Sequence, residues 1–322
     1  MTQWLYRRLK DESPDINPTF SLHSTINWAV ALAIICAEGQ FEKVELKRFY
    51  DSVLRRKLDI KGDNATFEHI LMAFHHYVSL SRIADNPNNY YPLVRSAIIA
   101  WYYGIYYSAS AMISATDGTI QETHTSTARV WHHLLNSRGL ILPPFNYCLS
   151  TLVKNEYEQE IKVLRNGNTY HLNPCPSTSE EAFGACCSYL QGTASREREL
   201  LENKIKSEKD FRGLGVKDFR SKVAREYRDQ RLSGKGTAFL HQAFRFRGKA
   251  NYRDAIFLSY GQNMEEGIAK LIKGLCDSLA CFVKMSCYYS QRRVEQGIWD
   301  TFYNDVTKYS LLKQECDILK IE

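Results

Sequence analysis

The chain has 322 residues, of which 44% are apolar and 24% are charged, a composition that predicts a protein folded around its own core in one large or two smaller domains. Its net charge of +6 permits an anionic partner. Its nine cysteines are an odd number scattered along a chain long enough to fold without cross-links. They therefore imply no disulfide framework and favour a reducing, cytoplasmic setting.

Residues 1–60 are predicted to form N-terminal helices. The first eight residues lack the apolar core of an export signal, so secretion is not expected. Residues 1–22, which hold two prolines, are predicted to form an arm or a short helix with a loop. A helix from Ser24 to Gly39 follows, and apolar residues at helical spacing mark a second helix over 46–54. This N-terminal part could serve as a regulatory lid or belong to the bundle that follows it.

Residues 61–192 are predicted to form a helical bundle. A polar turn over 61–64 leads into a helix from Phe67 to Ile83, and a cluster of Pro and Asn residues ends that helix. The next helix, about 92–115, is apolar on almost every side, which predicts the most buried element of the bundle.

That apolar helix includes residues 96–116, a charge-free run about as long as a membrane span. Its Tyr, Ser and Gly residues, the flanking charges of Arg95 and Asp117 and the lack of a second such run favour a buried central helix instead. No membrane association is therefore expected.

The bundle continues on both sides of a proline pair. A loop holds His124, and a short helix over 128–136 carries two more histidines. After Pro143–Pro144, apolar spacing predicts one helix over 145–164 that delivers Arg165 at its end.

The seven residues from Arg165 to His171 include a guanidinium, side-chain amides, a phenol and an imidazole, all of which can take part in catalysis. Arg165 offers a planar fork of donors suited to a phosphate, and His171 can take or give a proton near neutral pH. On a straight helix, side chains six positions apart are rotated by about 600° and do not share a face. Gly167 followed by Asn168 is typical of a helix that ends in a left-handed residue, and such a bend could return His171 toward Arg165. Alternatively, Arg165 and Asn166 belong to a solvated last turn and His171 to a loop.

Residues 193–254 are predicted to form a basic connecting segment after a helix that starts at Ser177. Between Arg196 and Arg253 the chain holds 17 Lys and Arg residues against eight Asp and Glu residues. Aromatic residues alternate with these cations, as on a surface that follows single-stranded nucleic acid. The candidate RNA-binding residues are Arg220, Arg225, Arg228, Arg245, Arg247 and Lys249. The alternative is a solvated connecting helix with charge pairs.

Residues 255–322 are predicted to form C-terminal helices. One possible arrangement is that these helices pack on the bundle. The apolar pattern marks helices over about 264–289 and 299–319. The chain shows no strand alternation and no repeat of fixed period, so we expect an all-α fold.

Several catalytic motifs are missing from the sequence. It has no phosphate-binding loop, no Gly-x-Gly-x-x-Gly, no His-Glu-x-x-His and no nucleophile elbow. Its cysteines miss the spacing of zinc knuckles. ATPase, zinc hydrolase and serine hydrolase functions lose support, and we expect neither a metal nor a cofactor.

The aromatic run Ala-Trp-Tyr-Tyr-Gly-Ile-Tyr-Tyr-Ser-Ala at 100–109, followed by Arg165, Asn166 and His171, resembles the HEPN superfamily. The signature of that family is an Arg, then a polar residue that is often Asn, and a His about four to six positions after the Arg. The resemblance covers about residues 65–190. It implies an all-α, HEPN-type helical bundle, to which the N-terminal and C-terminal helices are additions.

The resemblance also implies a metal-independent endoribonuclease that cleaves RNA by attack of the ribose 2′-OH and leaves a 2′,3′-cyclic phosphate. It implies that His171 acts as general base or general acid, that Arg165 stabilises charge on the phosphate and that Asn166 orients either group. Tyr170 and His124 are candidate accessory residues.

Members of this family usually bring two copies of the motif together across a dimer interface and serve as toxins or antiviral defence effectors. The implied partners are therefore RNA, a second copy of the chain, and an antitoxin or other regulatory partner. The alternative function is a non-catalytic helical module that binds RNA or a protein.

Overall fold

The computed structural model describes residues 18–86, 90–248 and 265–321. Helices dominate these ranges, so the prediction of an all-α fold is confirmed. The α-helices are α1 Pro18–Cys36, α2 Lys43–Phe49, α3 Ile60–Ala84, α4 Tyr90–Asp117, α5 His124–Leu134, α6 Lys154–Arg165, α7 Ser179–Ser207, α8 Lys209–Gly213, α9 Lys222–Ser233, α10 Phe239–Gly248, α11 Glu265–Arg293 and α12 Ile298–Tyr309. Two 3-10 helices, Asn136–Arg138 and Lys313–Leu319, and two antiparallel strands, β1 Cys148–Leu149 and β2 Thr237–Ala238, are also present.

Helix α4 lies at the centre of the main core, as its apolar pattern predicts. Trp101 is fully buried, and its Nε1 donates a hydrogen bond to Ser278 Oγ of α11 at 3.1 Å. Gly104 lets the two helices approach, since a Cβ there would lie 2.6 Å from a methyl carbon of Leu279. Helix α11 therefore packs directly on α4. None of the described helices combines the length and the mean hydropathy that crossing a bilayer requires.

Helix α1 belongs to the same core. The Trp28 ring stacks on Tyr189 of α7 with centroids 4.1 Å apart, and it meets Trp101 edge to face at 5.7 Å. On α11, Gly274 permits a close crossing, because a Cβ there would lie 2.7 Å from the carbonyl oxygen of Ala29. The first described helix is thus an integral part of the bundle.

A second, smaller core lies beneath the segment predicted to connect the bundle with the C-terminal helices. Helix α7 runs without interruption across residue 192, with its first half in the main core and its second half in the smaller one. Phe211, Ala224 and Leu232 are buried in that smaller core together with Ile161 of α6. The chain after residue 192 is therefore folded against α6.

The helix predicted over 145–164 is wrong in its first half, because α6 begins only at Lys154. Phe145 is fully buried in the main core, and Leu149 pairs with Thr237 in the strand pair β1–β2. These contacts involve distant parts of the chain and override the local helical spacing.

The turn predicted over 61–64 is also wrong, since these residues form the first turns of α3. Asp59 caps the helix, and its Oδ1 accepts a hydrogen bond from the Gly62 N–H at 3.1 Å. The carboxylate of Asp63 pairs with Arg56, and these side chains are only 5% and 10% exposed. A cap and a buried ion pair thus account for polar residues inside this helix.

The second N-terminal helix ends earlier than its apolar spacing predicts, at Phe49. The chain after it bonds to the end of α11. The Arg56 N–H donates to the Arg293 carbonyl at 2.7 Å, and the Arg55 guanidinium donates to the Val294 carbonyl at 3.0 Å. Residues 53–59 have no regular secondary structure, and these bonds hold them to the end of α11.

Candidate functional site

Helix α6 ends in two consecutive left-handed residues. Asn166 has a φ of 46° and Gly167 a φ of 86°. Asn is one of the few residues besides Gly that tolerate this conformation. The exposed Asn166 still donates its N–H to the Val163 carbonyl at 3.1 Å. The left-handed helix end predicted here is confirmed, and it starts at Asn166.

The guanidinium of Arg165 holds the chain that returns from this bend. Its Nη1 donates to the carbonyl oxygens of Asn168 at 3.3 Å and Tyr170 at 2.8 Å. Its Nη2 donates to the hydroxyl of Ser188 at 2.6 Å. Because Ser188 lies on α7, the half-buried Arg165 joins the loop over 168–170 to that helix.

The peptide group that joins Tyr170 to His171 therefore lies against the Arg165 guanidinium. The backbone of His171 returns toward Arg165, as the predicted bend requires. The His171 residue itself is exposed. The exposed His171 is accessible to a substrate from solvent.

Asn168 orders the same loop, a role that the sequence pattern does not reveal. Its Oδ1 accepts from the Tyr170 N–H at 2.9 Å, and its Nδ2 donates to the Glu180 carbonyl at 2.8 Å. Gly184 of α7 makes room for the loop, since a Cβ there would lie 2.7 Å from the Cβ of Tyr170. The Tyr170 hydroxyl donates to the Pro174 carbonyl at 3.3 Å.

His124 lies in a different cluster, on the aromatic face of α4. Its Nδ1 is 2.8 Å from the Tyr102 hydroxyl, and its ring centroid is 4.6 Å from that of Tyr106. The Arg247 guanidinium lies over the Tyr102 ring at 5.2 Å. Burial and, secondly, the charge of Arg247 lower the pKa of His124. His124 and Arg247 thus share one cluster, which is built on α4 and not on the loop after α6.

Two of the predicted RNA-binding arginines are engaged within the protein. Arg245 donates from Nη1 to the Thr193 hydroxyl at 3.0 Å. Arg228 has a side chain that is 16% exposed and lies 3.6 Å from Glu202 and 2.8 Å from Asp229. The environment of Arg228 is the charge-paired one that the sequence left open as an alternative.

Arg220 and Arg225 are exposed on the outer face of α9 and the turn before it. The side chain of Arg220 is 92% exposed and 3.3 Å from Asp218. Arg225 is exposed and donates from Nη1 to the Arg220 carbonyl at 2.6 Å. Exposed contacts of this kind are weak, so both guanidinium groups are accessible to an anion. Lys249 lies outside the described residues.

The structure also brings together residues that no sequence spacing connects. A cavity of about 630 Å³ opens between α5, the strand pair and the start of α10. Its cationic and titratable lining residues are Arg129, His132, His133, Lys235 and His241. The pairing of β1 with β2 joins these segments, and local sequence signals do not reveal that pairing.

All nine cysteines are free thiols. In the described ranges, no group of three or more His, Cys, Asp or Glu side chains is arranged to hold a metal ion. Comparison of the chain with protein-family models, with curated proteins and with solved structures finds no match.

Proposed function

We propose that the protein is a metal-independent endoribonuclease of the HEPN type, with Arg165, Asn166 and His171 as its catalytic group. The observation that supports this function is the 2.8 Å hydrogen bond from Arg165 to the Tyr170 carbonyl, because it brings the peptide bond preceding His171 against the guanidinium. A cation for the phosphate, at the end of α6, and the exposed residue His171, in the loop that follows, then lie on one short segment of the chain.

In this reaction His171 takes the proton from the ribose 2′-OH or gives one to the leaving 5′ oxygen. The 2′ oxygen attacks phosphorus, the bond to the 5′ oxygen breaks, and the products carry a 2′,3′-cyclic phosphate and a 5′-OH. Arg165 stabilises the negative charge on the other phosphate oxygens. Its bonds to the two carbonyls and to Ser188 leave Nε–H and one Nη2 hydrogen for that task. The exposed Asn166 amide orients the phosphate or the imidazole.

The exposed basic surface formed by α9 and the turn before it supplies the rest of the proposed RNA site. Arg220 and Arg225 offer exposed charge to the RNA backbone. Under the same proposal a second copy of the chain contributes a second motif, and an antitoxin or other regulatory partner controls a toxin or defence activity. Tyr170 is proposed as an accessory residue only, whereas His124 belongs to the separate cluster on α4 and is given no part in this catalytic group.

Incubation of the purified chain with a labelled pool of single-stranded RNA in EDTA tests this function. We expect cleavage with 2′,3′-cyclic phosphate ends. DNA and fully 2′-O-methylated RNA of the same sequences should resist, because they lack the nucleophile. An uncut RNA pool, or cleavage of the DNA at a comparable rate, would contradict the proposal.

One observation favours a second function, a non-catalytic module that binds RNA. The Arg165 guanidinium bonds to two carbonyls and to Ser188, as an arginine with a purely structural role does. This function predicts an RNA complex whose affinity falls steeply with salt, because phosphate contacts release counterions. It predicts no product in the same assay, so one gel separates the two functions.

A further inference from the structure

The cavity between α5 and α10 has three cationic or titratable walls. Helix α5 contributes Arg129, His132 and His133, the turn before β2 contributes Lys235, and α10 contributes His241. Its volume of about 630 Å³ is within the range of small-molecule sites. None of the proposed catalytic residues lines this cavity.

The protein fixes the protonation pattern of two imidazoles in this cavity. His241 Nδ1 accepts a hydrogen bond from the Ala238 N–H at 3.2 Å. His132 Nδ1 lies 3.3 Å from Asn136 Nδ2, which is a donor. A neutral ring that accepts at Nδ1 carries its proton at Nε2. Each neutral ring therefore carries its N–H donor at Nε2, and both residues line the cavity.

The charged residues of the cavity favour an anionic ligand. Arg129, His133 and Lys235 are exposed, and the part of the cavity wall that the structure describes includes no carboxylate side chain. Glu160 does not line the cavity, and its carboxylate accepts both the N–H of Ser150 at 2.7 Å and the Ser150 hydroxyl at 2.5 Å. Fixed positive charge without a lining acid favours an anion that carries more than one negative charge.

The remaining lining is rich in hydroxyl groups and allows close contact with backbone. The lining hydroxyl residues whose oxygen can still accept from a sugar hydroxyl are Thr123, Thr125, Ser126 and Ser150, although the Ser150 hydroxyl donates to Glu160 and the Ser126 hydroxyl to the Thr123 carbonyl. The hydroxyl oxygen of Thr237 is buried. A Cβ at Gly234 would meet nothing within 4 Å, so the backbone there is open to a ligand, whereas Gly236 packs against the Leu149 carbonyl of β1. Hydroxyl groups and backbone are partners for a sugar, and the volume exceeds what an inorganic ion needs.

We infer that this cavity binds a ribose 5-phosphate group, with Arg129 and Lys235 bonding to the phosphate and the Nε2–H groups of His132 and His241 directed at the same ligand. The group can come from a free sugar phosphate or from a nucleotide. This site does not depend on the proposed ribonuclease activity, because His171 does not line the cavity.

Isothermal titration of the full chain with adenosine 5′-monophosphate, ribose 5-phosphate and adenosine tests the inference. We expect one site for at least one of the two phosphates and no binding of adenosine. If ribose 5-phosphate binds and adenosine 5′-monophosphate does not bind more tightly, the ligand is a sugar phosphate. If adenosine 5′-monophosphate binds more tightly than ribose 5-phosphate, the ligand is a nucleotide. Binding of neither phosphate, or binding of adenosine as tight as that of its monophosphate, overturns the inference.

A double variant locates the site. Arg129→Ala with Lys235→Ala should weaken binding of the phosphate by at least ~10-fold, because two charged hydrogen-bond donors are removed. Both residues are exposed, so the fold should survive. The matched control, Lys209→Ala with Arg212→Ala, removes the same charge from exposed positions of α8 and should bind like the wild type. Equal affinity of the two double variants overturns the assignment to this cavity, and His171→Ala should bind normally whether or not it affects RNA cleavage.

Discussion

The Arg165 guanidinium and the carbonyl oxygen of Tyr170 are joined by a 2.8 Å hydrogen bond, so the residue proposed to bind phosphate also positions the loop that carries His171. Loss of activity in an Arg165 variant therefore has two causes, the missing charge and a displaced loop. His171 is exposed, and its replacement removes little besides the imidazole. A His171 variant is therefore the better test of catalysis, and an Arg165 variant is the better test of loop stability.

The contact between Arg165 and α7 should contribute measurably to stability. Ser188→Ala should lower the free energy of unfolding by about 1–2 kcal/mol, because a charged donor loses its 2.6 Å acceptor at a half-buried position. Urea unfolding followed by circular dichroism measures the change. Ser195→Ala, at an exposed position of the same helix, is the control and should shift stability by less than about 0.5 kcal/mol. Equal effects of the two substitutions would contradict this role of Ser188.

The loop after α6 should depend on a glycine that lies far from it in sequence. Gly184→Ala should destabilise the protein by about 1–3 kcal/mol, because the new Cβ would lie 2.7 Å from the Cβ of Tyr170 and 2.9 Å from its carbonyl oxygen. On the same helix, Gly192→Ala meets its nearest atom only at 4.0 Å and should be neutral or stabilising. Thermal unfolding of both variants checks the difference. A Gly184→Ala variant as stable as the wild type would show that the loop is not packed on α7 in this way.

Acidification should destabilise the protein through His241. Burial, and secondly the neighbouring His132, lowers the pKa of His241 to about 4, whereas an unfolded histidine titrates near ~6.5. The unfolded state then binds more protons between these values, so this histidine's contribution is present above pH ~6.5 and is lost as pH falls toward 4. Its slope is at most about 1.4 kcal/mol per pH unit.

The substitution His241→Gln isolates this contribution. Burial raises the pKa of Glu197 to about 7, and that carboxyl acts with the opposite sign because its folded form binds more protons between about 4.5 and 7. Both proteins contain Glu197, so its effect cancels in the comparison. Urea unfolding at pH 7 and pH 5 should show that the wild type loses more stability than the variant. Parallel pH profiles would exclude a buried neutral His241.

The basic surface should divide into residues that bind RNA and residues that support the fold. Arg220→Ala with Arg225→Ala should weaken RNA binding and reduce the slope of log affinity against log salt by about 0.7 for each phosphate that the protein no longer neutralises. Arg228→Ala should instead lower stability, because Arg228 is 16% exposed and paired with Glu202 and Asp229. Fluorescence anisotropy over a salt series measures the slope. An equal decrease of the slope in the Arg228 variant would contradict this division.

Local signals in the sequence were sufficient for two features that bear on the site. The apolar residues around Trp101 predict a buried central helix, and α4 is that helix. Gly167 predicts a left-handed helix end, and the chain does bend there. Both features depend on residues close together in sequence, which is why periodicity and residue preference reveal them.

Non-local contacts were beyond the sequence. The helix predicted over 145–164 is cut short because Leu149 pairs with Thr237, and the same pairing closes the cavity that contains His132 and His241. The hydrogen bond from Arg165 to Ser188 of α7 is equally invisible to spacing rules. Local spacing rules do not show which distant segments of the chain contact each other.

The most direct test of the proposed catalytic group is the rate at which His171→Ala cleaves single-stranded RNA in EDTA, measured beside His75→Ala, which removes another exposed histidine, on α3. The account predicts a loss of about 10²- to 10⁴-fold for His171→Ala, as expected when a general acid or base is removed, and a normal rate for His75→Ala. A His171→Ala variant that cleaves RNA as fast as the wild type would contradict the proposed catalytic group.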